Sequence, residues 1–241
     1  MNDFTVTEAH VRELFGTRNL SAEESRYLNY HAKRLAYTTH FVQSVANQSE
    51  TPLKILDVGP HFLSFSIKNL VQPRPLLYTM GFANYHLFPE SQTEKHIELD
   101  LNECESLPEN AIEERFDLIV ISETIEHLYT SPKIIFAFLA KLLTDNPGAG
   151  ILVQTPNAVN IYKRIKMLLG RNPYELIRTD RTNPGHFREY TMNELIDYGQ
   201  EAGFTIGLHE YCSYWPIRNP LIRVMSIIPS FKEGISIFLK K

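Results

Sequence analysis

Only two cysteines, Cys104 and Cys212, occur in 241 residues, far apart and in no paired motif. That scarcity argues against a disulfide framework or a cysteine zinc site and fits a reducing compartment. No apolar run approaches the roughly 18 residues needed to span a bilayer. The opening stretch, "MNDFTVTEAHVREL", carries early acids and lacks the apolar centre of a signal peptide. The expectation is a soluble, cytoplasmic protein. Positive charge is not in excess: 24 Lys and Arg against 28 Asp and Glu leave a net charge of -4. That balance argues against general nucleic-acid binding. Repeats and low-complexity tracts are also missing.

What is present suits one compact domain with a small lid, since 43% of the residues are hydrophobic. Residues 7–20 and 21–47 read as helices that form an N-terminal cap over 1–50. "SAEE" at 21–24 fits a capping box, with Ser21 at the N-cap and Glu24 three residues on. Leu28, His31, Leu35, Thr38 and Val42 then trace one helical face. From residue 51 strands and helices alternate. Strands are expected at 53–58, 76–80, 96–101, 116–122 and 151–155, with helices at 62–71, 132–143, 159–169 and 191–202. Final strands fall at 204–208 and 235–239. The order predicts an α/β, Rossmann-like, seven-stranded, mostly parallel sheet, with helices on both faces and an antiparallel last strand. In such sheets ligands bind beyond the carboxyl ends of the strands. The polar segment within 158–190, with two prolines, is too long for a plain connection and reads as a substrate-side lid.

Three strand ends carry chemistry. Asp57 and Gly59 close strand one, where a glycine lets the backbone approach a ligand; a cap and a simple turn would look the same. Asp100 sits where strand three exits and can accept hydrogen bonds from a ligand, or stand as one solvated acid among several. In "SETIEHL", Glu123, Glu126 and His127 stand at i, i+3 and i+4, on one face if the segment is helical. With His186 from "GHFREYT" they make a candidate oxygen and nitrogen site for a divalent cation. Without a cation, His127 or His186 can serve as general base. A structural Glu–His pair is the plain alternative.

The ordered set "ILDVG", "LDLN", "FDLIVISETIEHL", "ILVQTPN" and "GHFREYTMNELIDYGQEAGF" resembles class I S-adenosylmethionine-dependent methyltransferases over about residues 25–208. The nearest likeness is to small bacterial enzymes of glycan and natural-product pathways. The "ExxEH" and "TPN" segments also resemble ubiquinone-pathway O-methyltransferases and small-RNA 2′-O-methyltransferases. The resemblance implies S-adenosyl-L-methionine as cofactor, in a methyltransferase domain over 51–241. Asp57, Gly59, Pro60 and His61 would hold its methionine part, and Gly81 and Phe82, or Asn84, its ribose. Asp100 and Leu101 would frame the adenine, while Ser122 and Glu123 line the cofactor. Glu123, Glu126, His127 and His186 would bind Mg2+ or another divalent cation, with His127 and His186 as the catalytic pair.

Two departures stand out. The family turn reads D-x-G-x-G-x-G, and here His61 and Leu63 replace the second and third glycines. Strand two ends "YTMGFAN" without the usual acid. The leading expectation is O-methylation of a small-molecule or glycan-type acceptor. N-methylation is the runner-up, and a catalytically silent binding or scaffold protein is the alternative that the departures favour. RNA methylation fits the metal pattern but not the acidic balance. The stretch "NPLIRVMSIIPSFKEGISIFLKK" mixes apolar and basic residues, which suits weak peripheral contact with a membrane or, more plainly, a loop and the last core strand.

Overall fold

The computed structural model describes residues 5–82, 93–108, 111–179, 185–214 and 219–241. Among the described residues, seven strands are hydrogen-bonded in the order β3-β2-β1-β4-β5-β7-β6. They are β1 (Lys54–Val58), β2 (Leu76–Gly81), β3 (Lys95–Glu98), β4 (Leu118–Ser122), β5 (Gly150–Pro156), β6 (Thr205–Cys212) and β7 (Gly234–Lys240). β1 and β2, and β2 and β3, run parallel, while β7 is antiparallel to both β5 and β6. This is the mixed, Rossmann-like sheet expected. The chain divides into two compact units, Met1–Leu99 with Phe116–Leu118, and Asp100–Arg115 with Ile119–Lys241.

In the first unit, α1 (Glu8–Gly16), α2 (Ala22–Ala46) and α3 (Phe62–Leu70) pack together. The Ser21 box forms as read: Glu24 N–H donates to Ser21 Oγ at 3.2 Å and Ser21 N–H to Glu24 Oε2 at 2.6 Å. Leu28, Leu35, Thr38 and Val42 are buried along α2. Phe15 of α1 lies 4.8 Å from the Phe62 ring and 5.4 Å from Phe65. Burying one such ring contributes about 1.5–3 kcal/mol. The Gln43 side chain donates to Gln72 O at 2.6 Å and accepts from Gln72 N at 2.8 Å, fastening the α3–β2 turn to α2. β3 stops at Glu98 rather than running to 101.

In the second unit, α4 (Pro132–Lys141), α5 (Ile161–Leu168), α6 (Met192–Glu201) and a short α7 (Pro220–Met225) accompany β5, β6 and β7. Proline opens α4, and Thr191 with Glu194 caps α6 by a reciprocal box. Close approach sets the glycines of this sheet. A Cβ on Gly150 would sit 2.5 Å from Leu239 O and 2.7 Å from the Phe238 ring, and one on Gly207 2.9 Å from the same ring. Phe238 of β7 therefore fills the space that glycines on both flanking strands leave open. Among the described residues, no helix is long and apolar enough to cross a membrane.

Candidate active site

In the first unit the chemistry gathers where β1 ends. Asp57 is fully buried, and its Oδ2 accepts a 2.5 Å hydrogen bond from Ser64 Oγ of α3. Burial pushes its carboxyl up to about 7, against the pull of the Ser64 bond and the nearby Arg34 cation. The chain turns at Gly59, whose φ of 77° belongs to the left-handed region, and Gly59 N–H donates to Met80 O at 2.9 Å. Pro60 packs close by: a Cβ on Gly81 would lie 3.3 Å from its Cδ.

His61, in place of a family glycine, turns its ring onto Tyr27 of α2 at 4.3 Å and Phe62 at 4.9 Å. Leu63, the other replacement, is buried in the core. Burial, then the Arg34 charge, lowers His61 to about 4 and His31 to about 3. Arg34 is itself buried and donates to Tyr27 Oη at 3.0 Å. Phe82 is exposed beyond Gly81, and its carbonyl lies 3.3 Å from His96 Nε2; His96 Nδ1 is 2.9 Å from Thr79 Oγ1. A histidine on β3 thus stands beside the strand end that lacks an acid, and sequence reading missed it. Asn84 lies outside the described residues.

In the second unit Asp100 turns inward on its own loop. Its Oδ1 accepts from Asn102 N at 2.9 Å and Nδ2 at 3.0 Å, which starts a 3-10 turn over Leu101–Ser106 and accounts for the short β3. Leu101 is buried. Ser122 donates its hydroxyl to Gln154 Oε1 of β5 at 2.9 Å. Glu123 corrects the helical reading of "SETIEHL". Its φ is 53°, and only a 3-10 turn follows, over Ile125–His127. The left-handed residue breaks the i, i+3, i+4 face, so Glu123 falls outside the cluster its neighbours form.

The other three expected ligands come together. Ligand atoms of Glu126, His127 and His186 all lie within 4.8 Å of one another. Phe187 N–H donates to Glu126 O at 2.8 Å, which joins the two segments. Glu126 is fully buried, and its Oε2 accepts from Thr155 Oγ1 of β5 at 2.9 Å. His127 Nδ1 lies 2.9 Å from Gly185 O, and His186 Nδ1 lies 3.1 Å from Glu189 Oε1. Both contacts call for Nδ1–H as donor, which leaves each Nε2 lone pair open. Outer partners of this kind orient metal-ligating histidines, so the donor set fits a divalent cation. Glu189, unforeseen in the sequence, is buried between His186 and an ion pair with Lys163. Burial lowers Lys163 to about 8 despite the Glu126 and Glu123 charges, and burial with the His127 neighbour lowers His186 to about 4.

Comparison with known proteins places this arrangement. The family model described as a methyltransferase domain matches residues 29–208. No curated protein matches the sequence. Magnesium protoporphyrin IX methyltransferase from Synechocystis PCC 6803 with bound SAH superposes with a TM-score of 0.57 at 12% identity, covering 95% of this chain and 92% of that one. An S-adenosylmethionine-dependent methyltransferase from Clostridium acetobutylicum gives 0.55 at 14%, with 96% of each chain covered. An O-methyltransferase family protein from Burkholderia thailandensis gives 0.51 at 14%, covering 97% of this chain and 67% of that one. At these identities the structures share a fold with this chain, while the family match spans three quarters of it. The chain belongs to the class I S-adenosylmethionine-dependent methyltransferase family.

Proposed function

We propose that the protein transfers a methyl group from S-adenosylmethionine to an oxygen of a small-molecule or glycan-type acceptor, with a divalent cation held by Glu126, His127 and His186. The observation that carries the oxygen assignment is the pair of Nδ1–H bonds, to Gly185 O and Glu189, that leave both Nε2 atoms available beside a buried carboxylate. S-adenosylmethionine supplies a methyl group already activated on sulfonium. The chain's task is then alignment of donor and acceptor, together with deprotonation of a weak nucleophile. A divalent cation supplies the charge that makes an acceptor hydroxyl easier to deprotonate. An amine would need less help of this kind.

Each residue then has a part. Thr155 fixes one oxygen of Glu126 and so the direction of the carboxylate. His186, held near 4, stays neutral at working pH and offers a lone pair; that suits ligation better than general-base work. Two nitrogens and one oxygen favour a borderline transition-metal ion over Mg2+. Gly59, with its left-handed turn, and Asp57 are proposed to receive the methionine part, and Gly81 and Phe82 the ribose. Asp100 and Leu101 are assigned to the adenine, and Glu123 stays a cofactor-lining residue. Residues 1–50 are proposed as a cap and 158–190 as the lid.

Calorimetry with S-adenosylmethionine and turnover assays with and without EDTA test this reading. His127→Ala should leave cofactor affinity unchanged, abolish tight Mn2+ binding and cut turnover at least 100-fold. Unchanged turnover in EDTA would remove the cation. The packing of His61 where the family has glycine favours one second reading, a silent cofactor-site remnant. Absence of binding at millimolar S-adenosylmethionine would establish it.

A further inference from the structure

The outer face of the proposed lid, together with the turn after α7, carries side chains that are not among the proposed ligands. α5 and the segment after it carry large apolar side chains in the open: Leu168 is 86% exposed and Leu176 84%, with Leu169 and Ile177 also exposed. The turn after α7 adds Ile227, at 76%, and Ile228. These segments are joined through α5. The Arg164 guanidinium lies 5.1 Å from the Phe231 ring, Phe231 N–H donates to Ile228 O, and Lys163 lies 5.6 Å from the Tyr174 ring on the other side. Scattered single apolar residues on a surface are ordinary, but a set grouped on linked segments marks an interaction face.

The charge around them is mostly basic. Residues 161–178 and 219–232 hold seven Lys and Arg and a single acid, Glu175, in a chain whose net charge is -4. Glu175 is paired with Arg178. Lys166, Arg171, Arg178 and Arg223 are all exposed. Lys163 is taken up by its buried pair with Glu189, but the exposed lysine and arginine side chains outnumber the one exposed acid, and this face combines them with projecting leucine and isoleucine. A second copy of the chain would bring like charge against like charge. An anionic lipid surface complements both features at once: apolar side chains enter the acyl boundary while the basic groups meet phosphates.

We propose that this face, built from α5, residues 169–178 and residues 223–232, docks the protein peripherally on anionic membranes. The C-terminal stretch supplies only part of it, since residues 234–240 form core strand β7. The docked face is reversible and salt-sensitive, because each basic group near an anionic surface strengthens partitioning about fivefold and is screened at high ionic strength.

The test is sedimentation of the full chain with vesicles of phosphatidylcholine alone or with 30% phosphatidylglycerol. Binding to the anionic vesicles should exceed binding to the zwitterionic ones at least tenfold and fall at least tenfold in 0.5 M salt. The double variant Val224→Glu, Ile227→Glu, at exposed positions outside the proposed lid, should lose at least tenfold in vesicle affinity while its circular dichroism and S-adenosylmethionine affinity stay unchanged. Equal binding to both vesicle types, no binding to either, or retained binding by the folded variant would each overturn the proposal. So would sedimentation equilibrium showing a dimer that the double variant converts to monomer, because the face would then join two copies of the chain.

Discussion

Asp57→Asn offers the sharpest test of how the β1 end is built. Asparagine keeps an oxygen for the Ser64 hydroxyl and removes the ability to ionise. In the folded protein the Asp57 carboxyl is raised from its ordinary 3.8 to about 7 by burial. Between those values the folded chain holds a proton that the unfolded chain has released, so stability falls as pH rises through the window. The stabilising contribution is complete below about 3.8 and lost above about 7. At about 1.4 kcal/mol per tenfold, the whole window is worth about 4 kcal/mol, of which about 3 kcal/mol falls between pH 5 and pH 8. Asp57 is fully buried, so solvent screening removes little of this. Urea denaturation of wild type and variant at pH 5, 6, 7 and 8 measures it directly. The variant should gain on wild type from pH 5 to pH 7 and level off by pH 8, by about 3 kcal/mol in total. The difference cancels every other titrating group. A difference that stays constant from pH 5 to 8 would show that the Asp57 carboxyl is ionised throughout and would refute the reasoning.

Two further outcomes follow from named contacts. Glu189→Gln removes the anion shared by His186 and Lys163; it should cost about 3–5 kcal/mol, as expected when a buried ion pair loses one partner, and lower Mn2+ affinity about 10–100-fold. Adding Lys163→Met should restore most of the stability but not the Mn2+ affinity measured by calorimetry, and full recovery of both would deny Glu189 a role in orienting His186. Gly150→Ala places a methyl against the Leu239 carbonyl and the Phe238 ring; it should cost about 2–3 kcal/mol and lower the melting temperature by about 5–10 °C in calorimetry.

Local rules carried the sequence reading where side chain and backbone act within a few residues. The Ser21–Glu24 and Thr191–Glu194 boxes form as their spacing requires. The α1 box went unread because histidine, His10, supplies the reciprocal acceptor instead of Glu or Gln. "SETIEHL" has the periodicity of a helix, yet one backbone dihedral at Glu123 overrides it, and no residue type there announces a left-handed turn. Strand three ends early for a similar reason, since Asp100 bonds the backbone two residues on. β6 runs to Cys212, past the expected 208, because its edge position leaves a weak alternation to read. His186 could be named as a candidate ligand from its motif. Glu189 and Thr155 could not, because their value lies in contacts with Lys163 and Glu126 that only the fold creates.

The place of β7 has a consequence for the chain as it is made. β7 is the last strand in sequence, yet it lies between β5 and β6. A growing chain must finish about eighty residues after β5 before that strand gains its neighbour, several seconds at about 5–20 residues per second. Throughout that interval "GILVQTP", buried almost to its end in the finished protein, presents an open and largely apolar edge. β6 waits as well, with no strand beside it until β7 arrives. Synthesis that stalls short of Gly234 therefore releases a polypeptide with two unsatisfied edges, a target for chaperones and proteases before any chemistry begins.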